Sequence, residues 1–482
     1  MVHAFWPVDV STDPRGKELG KSGNTDYLLK NSLVYAYENS TFYRFHYNER
    51  GFDPYSVSGI IDYYKIPSFS KEDLFSFAER MGSIDKCWCI RDRSKIPFIA
   101  KTSGSIGAGM EFPYTERDAK GLFLRLIEGF SWWGHRGEPI DAFLFEGARS
   151  YVRGREAQFI AHLTGGKVIV IRNPDEIASK LKPIEGKKLL GIVLPYVSKF
   201  LEPALNKGTS RSEFQSLYVL SIVSPIERKK GLHIQVREKY GVTLIPTYGS
   251  NEGIAGLSCP HTFEKGYCHM VADGLYHVMK GEKLSEEGEG ELVITNFNRE
   301  AFPLIKYRTG DLISLKSGKC LCGFTGPTVR FERRLASTVK LPFLSDHFVD
   351  VLQIEEIVKS RLPESQVLCV YGEHPKKFHF FLAIFVEPPA LPTDEVAESL
   401  KAQIIQDIAS VSPPSMVSPN RWNEIFPIFF VNSGYLPIEP EAHKPRILLN
   451  LMSEEPHTKW YPKVFKILRE YGLVESRSND YI

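Results

Sequence analysis

Between Lys167 and Pro246 the chain repeats one pattern, a β-branched or leucine-rich run followed by a helical stretch, and few folds accommodate it. Lys167-Val-Ile-Val-Ile-Arg172 reads as a strand, and Asn173-Pro174-Asp175 turns it toward the helical Glu176-Ile-Ala-Ser-Lys-Leu181. Leu189 to Val197 and Leu217 to Val223 are further apolar runs. Ile226 to Tyr240 reads as a helix stopped by Gly241, and Val242 to Pro246 as the next strand. Strands apolar on both faces and separated by helices imply a helix-covered, mostly parallel sheet, so the expected class is α/β.

The flanks differ from this middle. Residues 27 to 80 read as helical, with a start signal where Ser70 precedes Lys-Glu-Asp-Leu-Phe. After Arg334 short strands are expected at Val367 to Val370, Phe378 to Val386 and Ile425 to Val431, with helices at Gln353 to Lys359 and Glu395 to Ala409. The change of character after Arg334 predicts a boundary near residues 335 to 340: a large N-terminal α/β domain over 1–334 and a smaller α+β domain over 335–482. A chain of 482 residues is long enough for both.

Composition excludes several classes. The net charge of +2 marks neither a nucleic-acid nor a membrane-surface binder. No apolar run reaches the roughly 18 residues a spanning helix needs, and the opening 25 residues carry no apolar leader. Seven cysteines in this length do not make a disulfide scaffold. The expectation is a cytoplasmic protein.

Three short segments carry chemistry. Thr102-Ser103-Gly104-Ser105-Ile106-Gly107 packs glycines and hydroxyls into one loop, where backbone N–H groups can approach a phosphate without steric bulk. It is not the strand–GxxxxGK[ST]–helix loop. A near match at Gly16-Lys-Glu-Leu-Gly20-Lys21-Ser22 is one residue short and follows no strand. Tyr248-Gly249-Ser250-Asn251-Glu252-Gly253 follows a strand, with Gly249 expected at the turn, and loops at such strand ends hold ligands in α/β folds. Glu252 can hold a magnesium ion. Tyr307-Arg308-Thr309-Gly310-Asp311 offers an Asp for a ribose diol and an Arg for phosphate, and reads otherwise as a turn joining two strands.

Together, these segments resemble the phosphate loop, the Y-G-x-x-E element and the Y-R-T-G-D element of the adenylate-forming superfamily. The phenylacetate–CoA ligase-like branch is the nearest. Tyr35-Ala36-Tyr37-Glu38 with Phe42-Tyr43-Arg44, Ile66-Pro67-Ser68-Phe69-Ser70-Lys71-Glu72-Asp73-Leu74 and Arg299-Glu300-Ala301-Phe302-Pro303-Leu304-Ile305-Lys306-Tyr307-Arg308 all resemble stretches of that branch. The resemblance implies that Thr102, Ser103, Gly104, Ser105 and Gly107 wrap the ATP phosphates, with Tyr248, Gly249 and Ser250 beside the nucleotide. It implies that Glu252 binds Mg²⁺, that Asp311 holds the ribose, and that Arg308 and Arg334 reach phosphate or ribose. Leu436-Pro437 and His443-Lys444-Pro445-Arg446 resemble the mobile loop that delivers a catalytic lysine, Lys444. The hinge after the Arg, usually Asp-Asp, reads Ala336-Ser337, and Ile106 stands where the phosphate loop commonly has Thr.

The implied reaction is ATP-dependent activation of a carboxylic acid to its adenylate, then acyl transfer to a thiol such as coenzyme A or a carrier protein. Alternatives are an amine or hydroxyl acceptor, or a non-catalytic nucleotide-binding protein of the same fold. Trp133, His135 and Phe145, with Gly253, are the candidate substrate contacts, and aromatic walls favour a flat ring. The resemblance also allows a homodimer. Cys320-Leu-Cys322 with Cys259, Cys268 and His269 supplies soft and imidazole ligands for a structural zinc, the other reading being buried free thiols.

Overall fold

The computed structural model describes residues 22–101, 110–134, 140–146, 166–171, 176–181, 183, 186–191, 194–223, 227–228, 231–271, 274–297, 299–335, 338–340, 348–376, 380–411, 422–436, 447–451 and 461–474. Two compact units result. One is made from Met1–Thr102 with Glu111–Glu332, the other chiefly from Arg333–Ile482.

The first unit begins with helices Ser22–Asn39 and Thr41–Glu49, and Ser40 separates them as an N-cap whose side chain accepts from the Tyr43 N–H. Helix Lys71–Met81 starts at Ser70 as expected, through a capping box with Asp73, and stops at Gly82, whose φ of 77° suits the left-handed cap. Residues 50 to 70 depart from the helical expectation. Gly51, Pro54, Gly59 and Pro67 break the periodicity, leaving only the short 3₁₀ turns Pro54–Ser56 and Ile60–Lys65.

A twelve-stranded mixed sheet forms the body of this unit. Lys167–Ile171, Ile140–Glu146, Lys187–Gly191, Leu217–Ile222 and Thr243–Ser250 lie side by side in that order, all parallel. Helices Leu194–Asn206 and Leu232–Tyr240 connect them, and Ile171, Leu190, Val197, Leu201, Leu217 and Val219 belong to one continuous apolar core. Within the stretch expected to be helical, Glu227 and Arg228 are helical, Gly231 at φ 65° precedes the helix Leu232–Tyr240, and Gly241 ends it at φ 71°.

At Thr243–Ser250 the sheet changes character. That strand pairs antiparallel with Ile254–Leu257, after which come Cys268–Met270, Thr328–Arg334, Tyr307–Lys316, Gly288–Asn296, Gly274–Lys280 and Lys283–Ser285. The Tyr307–Lys316 and Gly288–Asn296 ladder shifts register, so that Thr309, Gly310 and Asp311 stand opposite Leu292 alone. The Arg-Thr-Gly-Asp run is therefore a bulge inside a strand, not a turn between two, and Gly310 takes φ 74° to make it.

The second unit is α+β. Its four-stranded sheet runs Ile428–Phe430, Phe380–Glu387, Gln366–Glu373, Leu448–Asn450, with Asp394–Val411 and the C-terminal Pro462–Glu470 among its helices. Leu368, Phe381, Phe385, Val464 and Leu468 lie in its own core. Buried Glu387 accepts from the Gly434 and Leu436 N–H groups at 3.0 and 2.8 Å, which fixes the turn before Pro437. None of the described helices is long and apolar enough to cross a membrane.

Candidate functional site

The site begins where the parallel half of the sheet ends. Thr243–Ser250 turns through Asn251, Glu252 and Gly253 into Ile254–Leu257. The turning glycine is Gly253, at φ 87°, not the expected Gly249, which sits in the ladder opposite Ala255. A Cβ on Gly253 would lie 2.9 Å from Arg299 Nη1 and 3.0 Å from the Tyr114 hydroxyl oxygen. The position thus excludes side chains twice, by conformation and by space.

Two hydrogen bonds join this turn to the bulge across the sheet. The Tyr248 hydroxyl donates to Asp311 Oδ2 at 2.8 Å, and the Tyr307 hydroxyl donates to Glu252 Oε1 at 3.4 Å. Tyr307 is fully buried. Burial first, and the Glu252 carboxylate second, push its phenol well above the ordinary range, so it stays a donor. The Tyr248 ring stacks on Phe331 with centroids 6.2 Å apart. Glu252 and Asp311 are both buried, and two segments far apart in sequence now share one wall. The Ser250 hydroxyl is buried as well and finds no partner among the described residues.

Arg308 is directed elsewhere than expected. Its Nε and Nη2 donate to Glu291 Oε2 at 2.9 and 2.7 Å, and the Gly310 N–H donates to Glu291 Oε1 at 3.1 Å. A guanidinium held at two nitrogens by a buried carboxylate is oriented along the ladder, so Arg308 shapes the bulge that presents Asp311. Thr309 adds two bonds, donating to the Leu292 carbonyl at 3.0 Å and accepting from the Asp311 N–H at 3.2 Å.

Trp133, Phe145 and Arg334 belong to other elements. Trp133 donates from Nε1 to the Ser258 carbonyl at 2.7 Å and meets Phe263 edge-on, with the Arg237 guanidinium 5.6 Å over its ring. Its N–H is thus engaged by the Ser258 carbonyl, and Phe263 and Arg237 lie against its ring. Phe145 lies on the strand Ile140–Glu146, and Arg334 ends Thr328–Arg334 as an exposed residue. Thr102, Ser103, Gly104, Ser105, Gly107, His135, Ala336, Ser337 and Lys444 lie outside the described residues.

The metal-ligand side chains do converge. One ligand atom from each of Cys259, His269, Cys320 and Cys322 lies within 4.8 Å of the others. Cys259 Sγ is 3.7 Å from Cys320 Sγ, and Cys322 Sγ is 3.3 Å from His269 Nε2. Ligands about 2.0 to 2.3 Å from one tetrahedral centre would sit at about such separations. Burial lowers His269 to about 4, keeping its imidazole in the neutral form that coordinates. Cys268 is a correction. It neighbours His269 on a strand, so the two side chains face opposite sides, and its Sγ points to the Pro246 carbonyl at 3.6 Å.

Glu291, Tyr307, Arg299 and Tyr114 were not assigned roles from the sequence. Arg299 and Tyr307 do lie in the run that resembles the phenylacetate–CoA ligase-like branch, and that was their available signal. Glu291 and Tyr114 carry no local mark, because their partners are distant in the chain.

No family model matches the chain. It is similar to the phenylacetate–coenzyme A ligase of Thermus thermophilus, 27% identical over 314 residues that cover 62% of this chain and 66% of that one. It is also similar to the phenylacetate–coenzyme A ligase of Aromatoleum evansii, at 24% over 349 residues, or 68% and 73% of the two chains. The match with the first thus spans just under two thirds of that relative's length. In fold it resembles 2-hydroxyisobutyryl-CoA ligase solved in the postadenylation state, with a TM-score of 0.65 at 16% identity over 96% of this chain and 95% of that one. Sequence similarity, shared fold and the meeting of the Y-G-x-x-E and Y-R-T-G-D segments agree with the resemblance to the phenylacetate–CoA ligase-like branch of the adenylate-forming superfamily.

Proposed function

We propose that this protein is an AMP-forming ligase that activates a carboxylic acid with ATP and then passes the acyl group to a thiol, coenzyme A, with an aromatic acid as the favoured substrate. The observation that carries the reading is the pair of bonds Tyr248–Asp311 and Tyr307–Glu252, which sets two acids of different duty on one wall. Asp311 would accept the ribose hydroxyls, with the Tyr248 ring beside the base. Glu252 suits a divalent cation. It is buried, and among the described residues its carboxylate takes one hydrogen bond, a long one from Tyr307. Mg²⁺ held there would offset phosphate charge.

The substrate carboxylate oxygen attacks the α-phosphorus as the bond to pyrophosphate breaks. Charge gathers on the phosphoryl oxygens and the leaving group, which a positioned cation stabilises more than it stabilises bound ATP. Lys444 is proposed for that role, on a small C-terminal domain taken to start at residue 335. Cys259, His269, Cys320 and Cys322 would hold a structural zinc that ties the strand after the Glu252 hairpin to the loop after the Asp311 strand. The expected localisation is cytoplasmic.

The names of the relatives support an arylacetate acid and CoA. The test is carboxylate-dependent ATP–pyrophosphate exchange across aromatic and aliphatic acids, followed by thioester formation with CoA. Exchange that requires Mg²⁺ and an arenecarboxylic or arylacetic acid is the expected result, and no exchange with any acid overturns it. Lys444→Ala should abolish exchange. Metal analysis of protein purified without chelator should find about one zinc per chain, and Cys322→Ser should lose it.

A further inference from the structure

The Glu252 turn is held from behind by a cation that the reaction itself does not need. Arg299 is buried at 8% exposure. Its Nη1 donates to the Glu252 carbonyl, and its Nη2 donates to the Pro113 carbonyl at 2.8 Å. The guanidinium lies 4.2 Å over the Tyr114 ring, and the Tyr114 hydroxyl donates to the Asn251 carbonyl at 2.9 Å. Two consecutive carbonyls of the turn are therefore gripped by two stacked side chains. Among the described residues no carboxylate pairs with Arg299.

The grip is built in from both directions. Asp118, in the capping box that opens helix Glu116–Phe130, accepts from the Glu300 and Ala301 N–H groups at 2.7 and 3.1 Å. This fixes the backbone that carries Arg299. Pro113 and Tyr114 belong to strand Glu111–Tyr114, which pairs with Phe98–Lys101. Those strands flank in sequence the Ser/Gly segment assigned to the ATP phosphates. Gly253 has no side chain to push the guanidinium away.

We propose that Arg299 and Tyr114 are positioning residues that set the Glu252 carboxylate for magnesium and register it against the strand Glu111–Tyr114. The inference rests on the reading of Glu252 as the magnesium ligand. A free turn would let that carboxylate rotate among positions; the clamp removes this freedom before the nucleotide arrives.

The test uses the full chain and follows ATP–pyrophosphate exchange against Mg²⁺ concentration at saturating carboxylate. Arg299→Met should raise the Mg²⁺ half-saturation about ten-fold, the scale of lost outer-shell support at metal sites, and Arg299→Lys less. Tyr114→Phe keeps the ring on the guanidinium and loses one hydrogen bond, so a rise of about three-fold is expected with an unchanged melting temperature. The KM for the carboxylate should stay within about two-fold throughout. If Arg299→Met does not fold, Tyr114→Phe decides on the same readout. Variants that lose rate or stability at an unchanged Mg²⁺ response overturn the inference alone. Wild-type protein without metal-dependent exchange overturns the functional reading and the inference with it.

Discussion

The two halves of the large sheet are built on different principles. In the parallel half, Lys188 and Ser221 are the buried polar side chains among the described strand residues, and the rest is aliphatic and aromatic packing. In the antiparallel half, Glu291, Thr295, Asn296, Asp311 and Ser314 are all buried, and Lys306 just before it donates to the Tyr64 and Ile66 carbonyls at 2.9 and 2.6 Å. Apolar packing is tolerant of shape and indifferent to direction. A buried polar network is directional, and each member left without a partner costs about 1 to 3 kcal/mol. The chain places its candidate chemistry where the network begins, so that stability comes from one half and precision from the other.

This contrast breaks most readily at Glu252. Glu252→Gln should lower exchange by about 10² to 10³-fold while leaving the melting temperature within a degree or two. A large stability loss instead would show that the acid belongs to the scaffold. The converse change lies in the parallel half. Leu190→Ala removes a fully buried side chain and should cost about 3 kcal/mol in urea unfolding, with the KM for ATP unchanged.

Acid should separate the polar side from the apolar one. His46 lies on helix Thr41–Glu49, whose Tyr43 hydroxyl donates to the Pro303 carbonyl at 2.7 Å and accepts from the Ile305 N–H at 3.1 Å. Burial first, then the Arg50 charge, lower the His46 imidazole to about 4. The unfolded chain, with an ordinary value near 6.5, then binds more protons between those limits. Stability from neutral His46 is present above about 6.5 and is lost as pH falls toward 4, by about 3 kcal/mol. His46→Phe should flatten that part of the urea midpoint against pH; an unchanged slope assigns the acid response to other groups. The smallest expected effect is at Tyr248. Tyr248→Phe removes one hydrogen bond to Asp311 and should raise the KM for ATP about five-fold, or about 1 kcal/mol, while leaving the KM for the carboxylate alone.

The legible part of this protein was the part written in neighbouring residues. The strand and helix alternation of the middle, the helix start at Ser70 and three of the four strands in the second unit's sheet, Leu448–Asn450 being the one missed, follow from periodicity and capping, which act over a few positions. Gly253 was misread as Gly249 because the strand runs two residues past its apolar stretch before turning. The Arg-Thr-Gly-Asp run looked like a turn because a bulge borrows the same glycine.

Residue chemistry and spacing were enough to nominate Glu252, Asp311 and the paired cysteines, since local composition determines what a side chain can do. Whom it meets was decided by the tertiary structure alone. Strand parity sent Cys268 away from the cluster that His269 joins, and ladder register gave Arg308 to Glu291. Chain crossing put Arg299 behind the Glu252 turn, and the indole of Trp133 against Ser258. Those pairings depend on register and on contacts between residues many positions apart, and a one-residue slip would exchange every one of them.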